Sequence, residues 1–591
     1  MEELLKKFME GKSDLVGGQP IFRTLAQLPP YLKVTFVVLL FVFLLTSFFA
    51  LVRFNDRFLV LVPQYGGSLS EGIIGRPRFI NPVIAKSDAD RDMAALIYSG
   101  LLKATPEGDL IPDLSSGYNI SEDGLTYTFT LRDDLVWHDG EPITSGDVAF
   151  TIEKVRDSGL AIKSPRRASW EGVDVTTPDA KTIVFRIKQP YAPFLENATM
   201  GIIPKHIWQN VPNEEFDVTY HNIEPIGSGP YRMDRIAEDK AKGLPRYYDL
   251  TAFKHYALGE PYITHLRIAF FGNNKELMQA YDDRTIEQMN SVEPELAETL
   301  AKGGARIMKT PLPRVFALYF NQNQQPILTD VAVRQALSSS VDKEQIVDTV
   351  LHGYGKPIDG PLPFLLAEKD AQNATTTSGD RIINARAILE KAGWTVNAAG
   401  IYEKVNKAKK GVTLLQFSIA LPDIPELRAA AELIKSDWEK LGASVTLNVF
   451  DQSTFVTGVL SPRKYDILFY GQIIGRTPDP FSYWHSSQRN APGLNIALYT
   501  NKNADKFLES ARKENDPNLR ADILAKFVDE VKKDVPAVFI YSPDFLYAVG
   551  ERTKGVGIEL VTTESERFLG VHHWYVNSER VWKWFVKETN H

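Results

Sequence analysis

The chain has 591 residues, 44% of them hydrophobic and 24% charged, which is the composition of a folded globular protein too long for one core. We therefore predict two or three domains, and a net charge of −7 without a basic run argues against a nucleic-acid partner. The chain lacks cysteine, which excludes disulfides, thiolate metal ligands, cysteine nucleophiles and anchoring through a lipidated cysteine.

The first predicted element is an apolar helix at residues 34–52, a run of nineteen residues without a charge. At about 1.5 Å per residue, this helix is about 28 Å long, which is close to the hydrocarbon thickness of a bilayer. Lysine and arginine are more frequent before the run than just after it. The positive-inside rule therefore places residues 1–33 in the cytoplasm and the remainder of the chain outside. We predict an uncleaved, single-pass anchor in the cell membrane.

A cleaved signal peptide is the main alternative to an anchor. The apolar core of a signal peptide usually has about 7–15 residues and is followed by a small-x-small cleavage site. Here the run is longer, and Ser-Phe-Phe-Ala at residues 47–50 matches such a site poorly. A buried core helix is the other alternative, but helices of that kind are rarely so uniformly apolar.

The densest pattern lies in residues 94–147. A period-2 strand is predicted by four alternating apolar residues, Leu125, Tyr127, Phe129 and Leu131. Asp139-Gly140 is a turn signal, and Thr144 with Asp147 predicts a capping box at the start of a helix. Further along, residues 425–442 predict an amphipathic helix ended by Gly442, and Thr329 is the predicted N-cap of another helix.

The order of these motifs resembles the peptide/nickel-type (family 5) extracellular solute-binding proteins of ABC importers. The resemblance rests on ALIYSGLL at residues 95–102, LIPDL at 110–114, DGLTYTFTLR at 123–132 and VWHDGEPITSGDV at 136–148. It continues with PKHIW at 204–208, GSGPY at 227–231, VRQAL at 333–337 and PDPF at 478–481. Altogether it covers about residues 60–580.

This resemblance implies an α/β, periplasmic-binding-protein-like fold with two lobes joined by two crossing strands, here preceded by one transmembrane helix. Lobe I would comprise residues 60–312 and, with the tail, 546–591, and lobe II residues 313–545. A peptide or similar solute would bind between the lobes, and hinge closure would precede delivery to the permease subunits of an ABC importer. We expect the part outside the membrane to be monomeric.

The ligand contacts that the resemblance implies come from both predicted lobes. The candidate residues are Asn81, Tyr98, Ser228, Tyr231, Asn321, Tyr470, Gly471, Gln472, Arg476, Asp479, Tyr483 and Trp484. In dipeptide-type relatives an aspartate shortly before the Asp-Pro phrase meets the α-amine of the ligand, and counting back places that position at Ile474. We therefore expect longer or blocked peptides, opine-like compounds or oligosaccharides rather than free dipeptides, and favour peptides held by their backbone.

Catalytic motifs are missing from the sequence. The patterns HExxH, GxSxG and GxxxxGK[ST] do not occur, and the ten histidines show no metal-ligand spacing. We predict a protein that is not an enzyme and needs no cofactor or bound metal. Two other functions stay open: a bilobed sensor or scaffold acting through a membrane partner, and a binder of nickel chelates, for which His485 is the nearest histidine.

Overall fold

The computed structural model describes residues 28–239, 244–363, 378–406 and 411–585. Two compact units make up the chain: a terminal unit, whose described residues are 28–64 and 577–585, and a main unit, Tyr65–Val576. Most of the predicted cytoplasmic segment, residues 1–27, and the end of the predicted tail, 586–591, lie outside the described residues.

The described chain has 23 strands, numbered in chain order. They are β1 (Leu59–Gln64), β2 (Ser68–Ile74), β3 (Leu102–Ala104), β4 (Leu110–Pro112), β5 (Ser115–Ile120), β6 (Thr126–Leu131), β7 (Asp174–Thr176), β8 (Thr182–Arg186), β9 (Tyr231–Asp239), β10 (Leu244–Ala252), β11 (His265–Phe271), β12 (Gln288–Met289), β13 (Arg306–Pro311), β14 (Arg314–Phe320), β15 (Gly355–Pro357), β16 (Thr395–Val396), β17 (Tyr402–Asn406), β18 (Gly411–Leu414), β19 (Gln416–Pro422), β20 (Ser444–Phe450), β21 (Ile467–Ile473), β22 (Ala537–Val549) and β23 (Asn577–Trp582).

Helices of eight residues or more alternate with these strands. They are Pro30–Phe58, Asp88–Ile97, Ser145–Arg156, Asn274–Asp282, Pro294–Lys302, Val331–Ser340, Lys343–Val350, Ser378–Lys391, Pro425–Leu441, Lys502–Lys513 and Pro517–Asp534, with a ten-residue 3₁₀ segment at Glu564–His573. Shorter helical turns include Arg167–Trp170, Phe194–Asn197, Lys205–Trp208 and Phe481–Trp484.

In the terminal unit, the helix Pro30–Phe58 leads directly into β1, which pairs antiparallel with β23. Among the described residues this helix alone is long and apolar enough to cross a membrane. It extends beyond the predicted span of 34–52. The helix continues to Phe58 because no glycine or proline interrupts it after residue 52.

The main unit is organised on one mixed sheet that β22 runs through. The strand order is β20-β19-β21-β14-β22-β12-β2-β11-β10-β9, and β13 and β15 also pair with β22. The first part of β22 pairs with β14, from Ala537 to Tyr541, and its second part pairs with β13, from Asp544 to Val549. A smaller antiparallel sheet, β5-β6-β8-β7, belongs to the same unit.

Separate hydrophobic cores pack against the first and the second half of this shared strand. The largest core contains Leu312 and Phe545, whereas the cores packed around β14 and β21 contain Val315 and Tyr541. The chain therefore passes from one core to another between Leu312 and Val315, and again between Tyr541 and Phe545. The lobe bounds at 312 and 546 stay a prediction about which parts move as bodies.

Several local predictions are confirmed and one is wrong. Tyr127, Phe129 and Leu131 are buried on one face of β6, and the capping box of Thr144 and Asp147 is present. The helix Pro425–Leu441 ends at Gly442 in a left-handed conformation. Thr329 is not the N-cap of the helix Val331–Ser340. Asp330 caps it, because its carboxylate accepts a hydrogen bond from the N–H of Ala332 while Thr329 belongs to a preceding 3₁₀ turn.

A fully buried ion cluster ties three distant segments of the main unit together. Arg567 donates to both oxygens of Asp92 at 2.8 and 2.7 Å and to Glu71 at 2.7 Å. The hydroxyl of Tyr547 donates to the second oxygen of Glu71 at 2.6 Å. Burial alone would lower the pKa of Arg567, but the two carboxylates outweigh it and raise the pKa. The guanidinium is therefore a permanent cation that holds β2 and the helix Asp88–Ile97 against the 3₁₀ segment.

We predict that Arg567→Gln lowers the free energy of unfolding by about 3–5 kcal/mol, because it leaves two buried carboxylates without their cation. Urea unfolding followed by circular dichroism measures the loss. The matched control is Arg552→Gln, whose pair with Glu287 is exposed and which should cost less than about 1 kcal/mol. Equal losses in the two variants would contradict the role given to the buried cluster.

Candidate ligand-binding site

A cavity of about 700 Å³ lies in the main unit between two walls. One wall is formed by residues within 82–256 and 562–569, and the other by residues within 473–494. Its charged lining residues are Arg91, Lys103, Asp113, Arg166, Glu196, Arg476, Asp479 and Glu566. Four are cationic and four anionic, so selectivity depends on which of them are already paired.

Close backbone packing shapes the first wall. A Cβ on Gly227 would lie 2.0 Å from the carbonyl oxygen of Ile97, and one on Gly229 would lie 2.6 Å from its carbonyl carbon. Only glycine therefore allows the GSGPY segment to pass beside the end of the helix Asp88–Ile97. This packing places Tyr98, the residue after that helix, in the cavity lining.

Three polar contacts connect the two walls. Arg476 donates to Glu566 at 2.6 Å, the N–H of Thr477 donates to Glu196, and the hydroxyl of Tyr191 donates to Asp479 at 3.2 Å. Burial raises the pKa of Glu196, and the hydrogen bonds from Thr477 oppose the rise. The carboxylates at this edge of the cavity thus accept bonds from the opposite wall.

The negative charge of Asp479 is balanced by Arg512, in addition to the hydrogen bond from Tyr191. Arg512 donates to both of its oxygens, at 2.9 and 2.7 Å, and the guanidinium of Arg512 also lies 3.8 Å from the ring centroid of Phe481. A bidentate arginine–carboxylate pair is among the stronger ionic contacts in proteins. Asp479 therefore meets a ligand as part of a neutral pair rather than as a free anion.

The cavity lining also contains Lys103 and Asp113, whose opposite charges influence each other. Lys103 donates to the hydroxyl of Tyr256 at 2.7 Å. Burial raises the pKa of Asp113 to about 6, with Lys103 opposing the rise, and burial lowers the pKa of Lys103 to about 8. One carboxylate oxygen of Asp113 and the hydroxyl of Tyr98 are buried without a hydrogen-bond partner among the described residues. Both are free to bond a ligand.

Arg166 differs from the other three cations of the cavity lining, whose side chains all donate hydrogen bonds to the protein. Its backbone N–H donates to Ser164, whereas its side chain makes no hydrogen bond with the described residues. Desolvation inside the cavity lowers its pKa, while the carboxylates of Glu566 and Glu196 oppose that shift. Both carboxylates already accept hydrogen bonds from the opposite wall. The Arg166 guanidinium thus offers its donors to whatever occupies the cavity.

Of the residues that the sequence predicted, the structure brings four into the cavity lining: Tyr98, Arg476, Asp479 and Tyr483. The remaining eight, Asn81, Ser228, Tyr231, Asn321, Tyr470, Gly471, Gln472 and Trp484, do not line it. Tyr231 is buried and donates to the carbonyl of Ile263, while Trp484 packs in a hydrophobic core. Ligand contact by any of the twelve stays a prediction. Ile474 does line the cavity, with an apolar side chain.

Sequence reasoning missed most of the charged lining. Lys103, Arg166, Glu196 and Glu566 carried no motif of their own, although Asp113 belongs to the LIPDL segment. The described residues contain no group of three histidine, cysteine, aspartate or glutamate side chains that would hold a metal ion. His485 lies outside the lining and stacks on Phe481, with ring centroids 4.0 Å apart.

Comparison with known proteins identifies the family to which the chain belongs. The model of the bacterial extracellular solute-binding proteins, family 5 (middle region), matches residues 109–494, which is more than half of the chain. The chain belongs to this family. The predicted resemblance and the periplasmic-binding-protein fold are thereby confirmed.

Individual relatives match a larger share of the chain. The oligopeptide-binding protein AppA of Bacillus subtilis is 26% identical over 526 residues, covering 83% of this chain and 89% of its own. NikZ of Campylobacter jejuni, solved with Ni(L-His), is 26% identical with a TM-score of 0.67 and covers 86% of this chain and 99% of its own. CtaP of Listeria monocytogenes is 25% identical with a TM-score of 0.71, and the match covers 87% and 100% of the two chains.

The raised pKa of Asp113 makes the stability of the protein dependent on pH. Its pKa rises from an ordinary value of 3.8 to about 6, so between these values the folded protein holds a proton that the unfolded chain has lost. Stability therefore falls as the pH rises through this window. We predict that the free energy of unfolding of the wild type falls relative to Asp113→Asn by up to about 3 kcal/mol between about pH 4 and pH 6.

Urea unfolding at a series of pH values measures this difference. Asp109→Asn is the matched control, since Asp109 is an exposed residue four positions earlier in the chain. A flat difference for Asp113→Asn would show that Asp113 does not titrate in this window.

Proposed function

We propose that this protein is a membrane-anchored, extracytoplasmic receptor that binds peptides in the 700 Å³ cavity and delivers them to the permease of an ABC importer. The observation that carries the proposal is this cavity, set between two walls of a family 5 solute-binding chain. Its volume lies within the usual range of about 300–1,000 Å³ for small-molecule sites. AppA, an oligopeptide-binding protein, supports peptides as the ligand class.

The wall formed by residues 473–494 favours longer or blocked peptides over dipeptides with a free amino terminus. Ile474 offers no charge, and both oxygens of Asp479 are occupied by Arg512. A free α-amine therefore finds no unpaired carboxylate on the wall formed by residues 473–494, and leaving an ammonium group unpaired in a cavity is costly. Longer or blocked peptides avoid this cost, because their backbone groups bond to neutral donors and acceptors.

Arg166 supplies a contact for the other end of the ligand. A peptide's terminal carboxylate is the natural partner of an arginine whose side chain makes no hydrogen bond with the described residues. A charge-assisted hydrogen bond of this kind contributes about 1.5–3 kcal/mol.

The first experiment identifies the ligand class. Native mass spectrometry of the full chain, purified without refolding, is expected to show a co-purified peptide. A thermal-shift series with peptides, oligosaccharides and nickel–histidine chelates is then expected to show the largest rise in Tm with peptides. A rise with the chelates alone, or with none of these ligands, would contradict the proposal.

The Arg166 contact is tested by substitution. We predict that Arg166→Gln weakens binding of a peptide with a free carboxyl terminus by about tenfold or more in isothermal titration calorimetry, and leaves binding of the amidated peptide unchanged. Arg167→Gln is the matched control, because this neighbouring arginine does not line the cavity. Equal losses for the free and amidated peptides would rule out a carboxylate contact.

The apolar helix Pro30–Phe58 supports the anchor, and the charge bias around residues 34–52 supports a cytoplasmic amino terminus. Because the chain lacks cysteine, a single introduced cysteine is its only thiol. In intact cells a membrane-impermeant maleimide should label Lys506→Cys, on the exposed side of the helix Lys502–Lys513, and should not label Ser13→Cys until the membrane is permeabilised. Labelling of Ser13→Cys in intact cells, or a chain shortened by signal cleavage, would contradict this topology.

A further inference from the structure

The nine tryptophans of the chain fall into two groups that differ in exposure. Seven are buried in the main unit, each 3% exposed or less: Trp137, Trp170, Trp208, Trp394, Trp438, Trp484 and Trp574. The other two, Trp582 and Trp584, are 37% and 62% exposed, and both belong to the terminal unit. Phe585 follows them in the chain and is 79% exposed.

These exposed rings lie against the end of the apolar helix. Trp584 stacks on Phe58, the last residue of the helix, with ring centroids 4.9 Å apart and planes inclined by 22°. Phe58 in turn contacts Phe54 at 4.6 Å, and Trp582 lies 5.4 Å from Trp584. The antiparallel pairing of β1 and β23 fixes this arrangement, because Leu59 is the register partner of Trp582. We call Phe58, Trp582, Trp584 and Phe585 the ring cluster.

The length of the helix sets the depth of the ring cluster. If the uncharged run 34–52 fills the hydrocarbon core, Phe58 lies six residues beyond it, or about 9 Å along the axis. The headgroup layer on each side of a bilayer is roughly 5–8 Å thick, since the whole membrane measures about 40–45 Å and its core about 30 Å. The backbone of Phe58 therefore lies at the outer edge of the headgroup layer. Side chains of a helix tilt toward its N-terminus, which is the bilayer side here, so the ring of Phe58 and the indole stacked on it lie at the level of the headgroups.

This level suits the chemistry of the rings. Indole combines a large apolar surface with one N–H donor, which is why tryptophan concentrates at membrane–water interfaces. The two-stranded sheet that carries the rings has little hydrophobic burial of its own, with residues 577–580 all exposed. Two-stranded sheets are marginally stable in water without a further apolar contact. A bilayer surface supplies such a contact, and it is continuous with the exposed helix.

We propose that the ring cluster inserts into the outer headgroup layer of the membrane and forms a second lipid contact beside the spanning helix. This inference rests on the anchor in the proposed function. It assigns the carboxyl-terminal segment a membrane role, and the remaining tryptophans of the chain are buried. Both chain connections to the main unit, after Gln64 and before Asn577, then start from one paired sheet at the membrane surface.

The burial pattern makes a selective test possible. The full chain is reconstituted into phosphatidylcholine vesicles whose lipids are brominated either high on the acyl chains or near the chain ends. Bromine quenches only tryptophans within contact distance, so the wild type is expected to lose up to about a fifth of its emission, the share of two tryptophans in nine. Quenching should be stronger with the shallow bromines than with the deep ones.

The double variant Trp582→Phe/Trp584→Phe is expected to lose this quenching, and the control Trp394→Phe to retain it. Equal quenching of the wild type and the double variant would overturn the proposal. So would emission that bromine leaves unchanged but aqueous acrylamide quenches, the result expected if the rings instead await a protein partner such as the permease.

A separate measurement distinguishes failure of the anchor itself. If alkaline carbonate releases wild type and double variant alike from the vesicles, the spanning helix is wrong and the ring cluster has no bilayer to enter. If both stay with the vesicles and quenching is absent, the anchor stands and the ring cluster proposal alone is overturned.

Discussion

The structure depends on one strand being hydrogen-bonded to two different partners along its length. β22 pairs first with β14 and then with β13, and the connection between those two partners runs beside it. The N–H of Leu312 donates to the carbonyl of Pro543 at 3.0 Å, and Ser542 donates to the carbonyl of Leu312 at 2.8 Å. The two chain crossings are thus bonded to each other where the cores change. A hinge motion of the two predicted lobes would bend at this pair.

The cavity follows from that arrangement, because two cores that share one sheet can leave their facing surfaces free to enclose a ligand. Those surfaces are charged, and most of the charges are compensated by the protein. Arg476 meets Glu566 across the cavity, and Arg512 meets Asp479 on the same side of it. Compensation lowers the cost of burying these groups, and in the proposed function it leaves Arg166 and Asp113 to discriminate between ligands.

Local pattern was enough to predict β6, the capping box of Thr144 and the helix Pro425–Leu441, because each depends on residues a few positions apart. The family and fold followed from ordered motifs of the same local kind. The cavity lining did not, since Arg476 and Glu566 meet across ninety residues and Glu196 reaches Thr477 across 281. Tyr231 shows that a motif residue need not line the cavity. Its side chain is buried in the core, where the hydroxyl donates to the carbonyl of Ile263.

The apolar side chain of Ile474 changes which ligands the proposed binding site favours. With no free carboxylate on that wall, a charged amine gains nothing there and loses its hydration. A ligand held by backbone groups loses less, because amides exchange water for protein donors and acceptors at nearly equal free energy. In the proposed receptor, affinity then grows with the number of backbone bonds and with apolar contact rather than with a charged amino terminus. A receptor built this way distinguishes ligands by length and shape more than by their amino terminus.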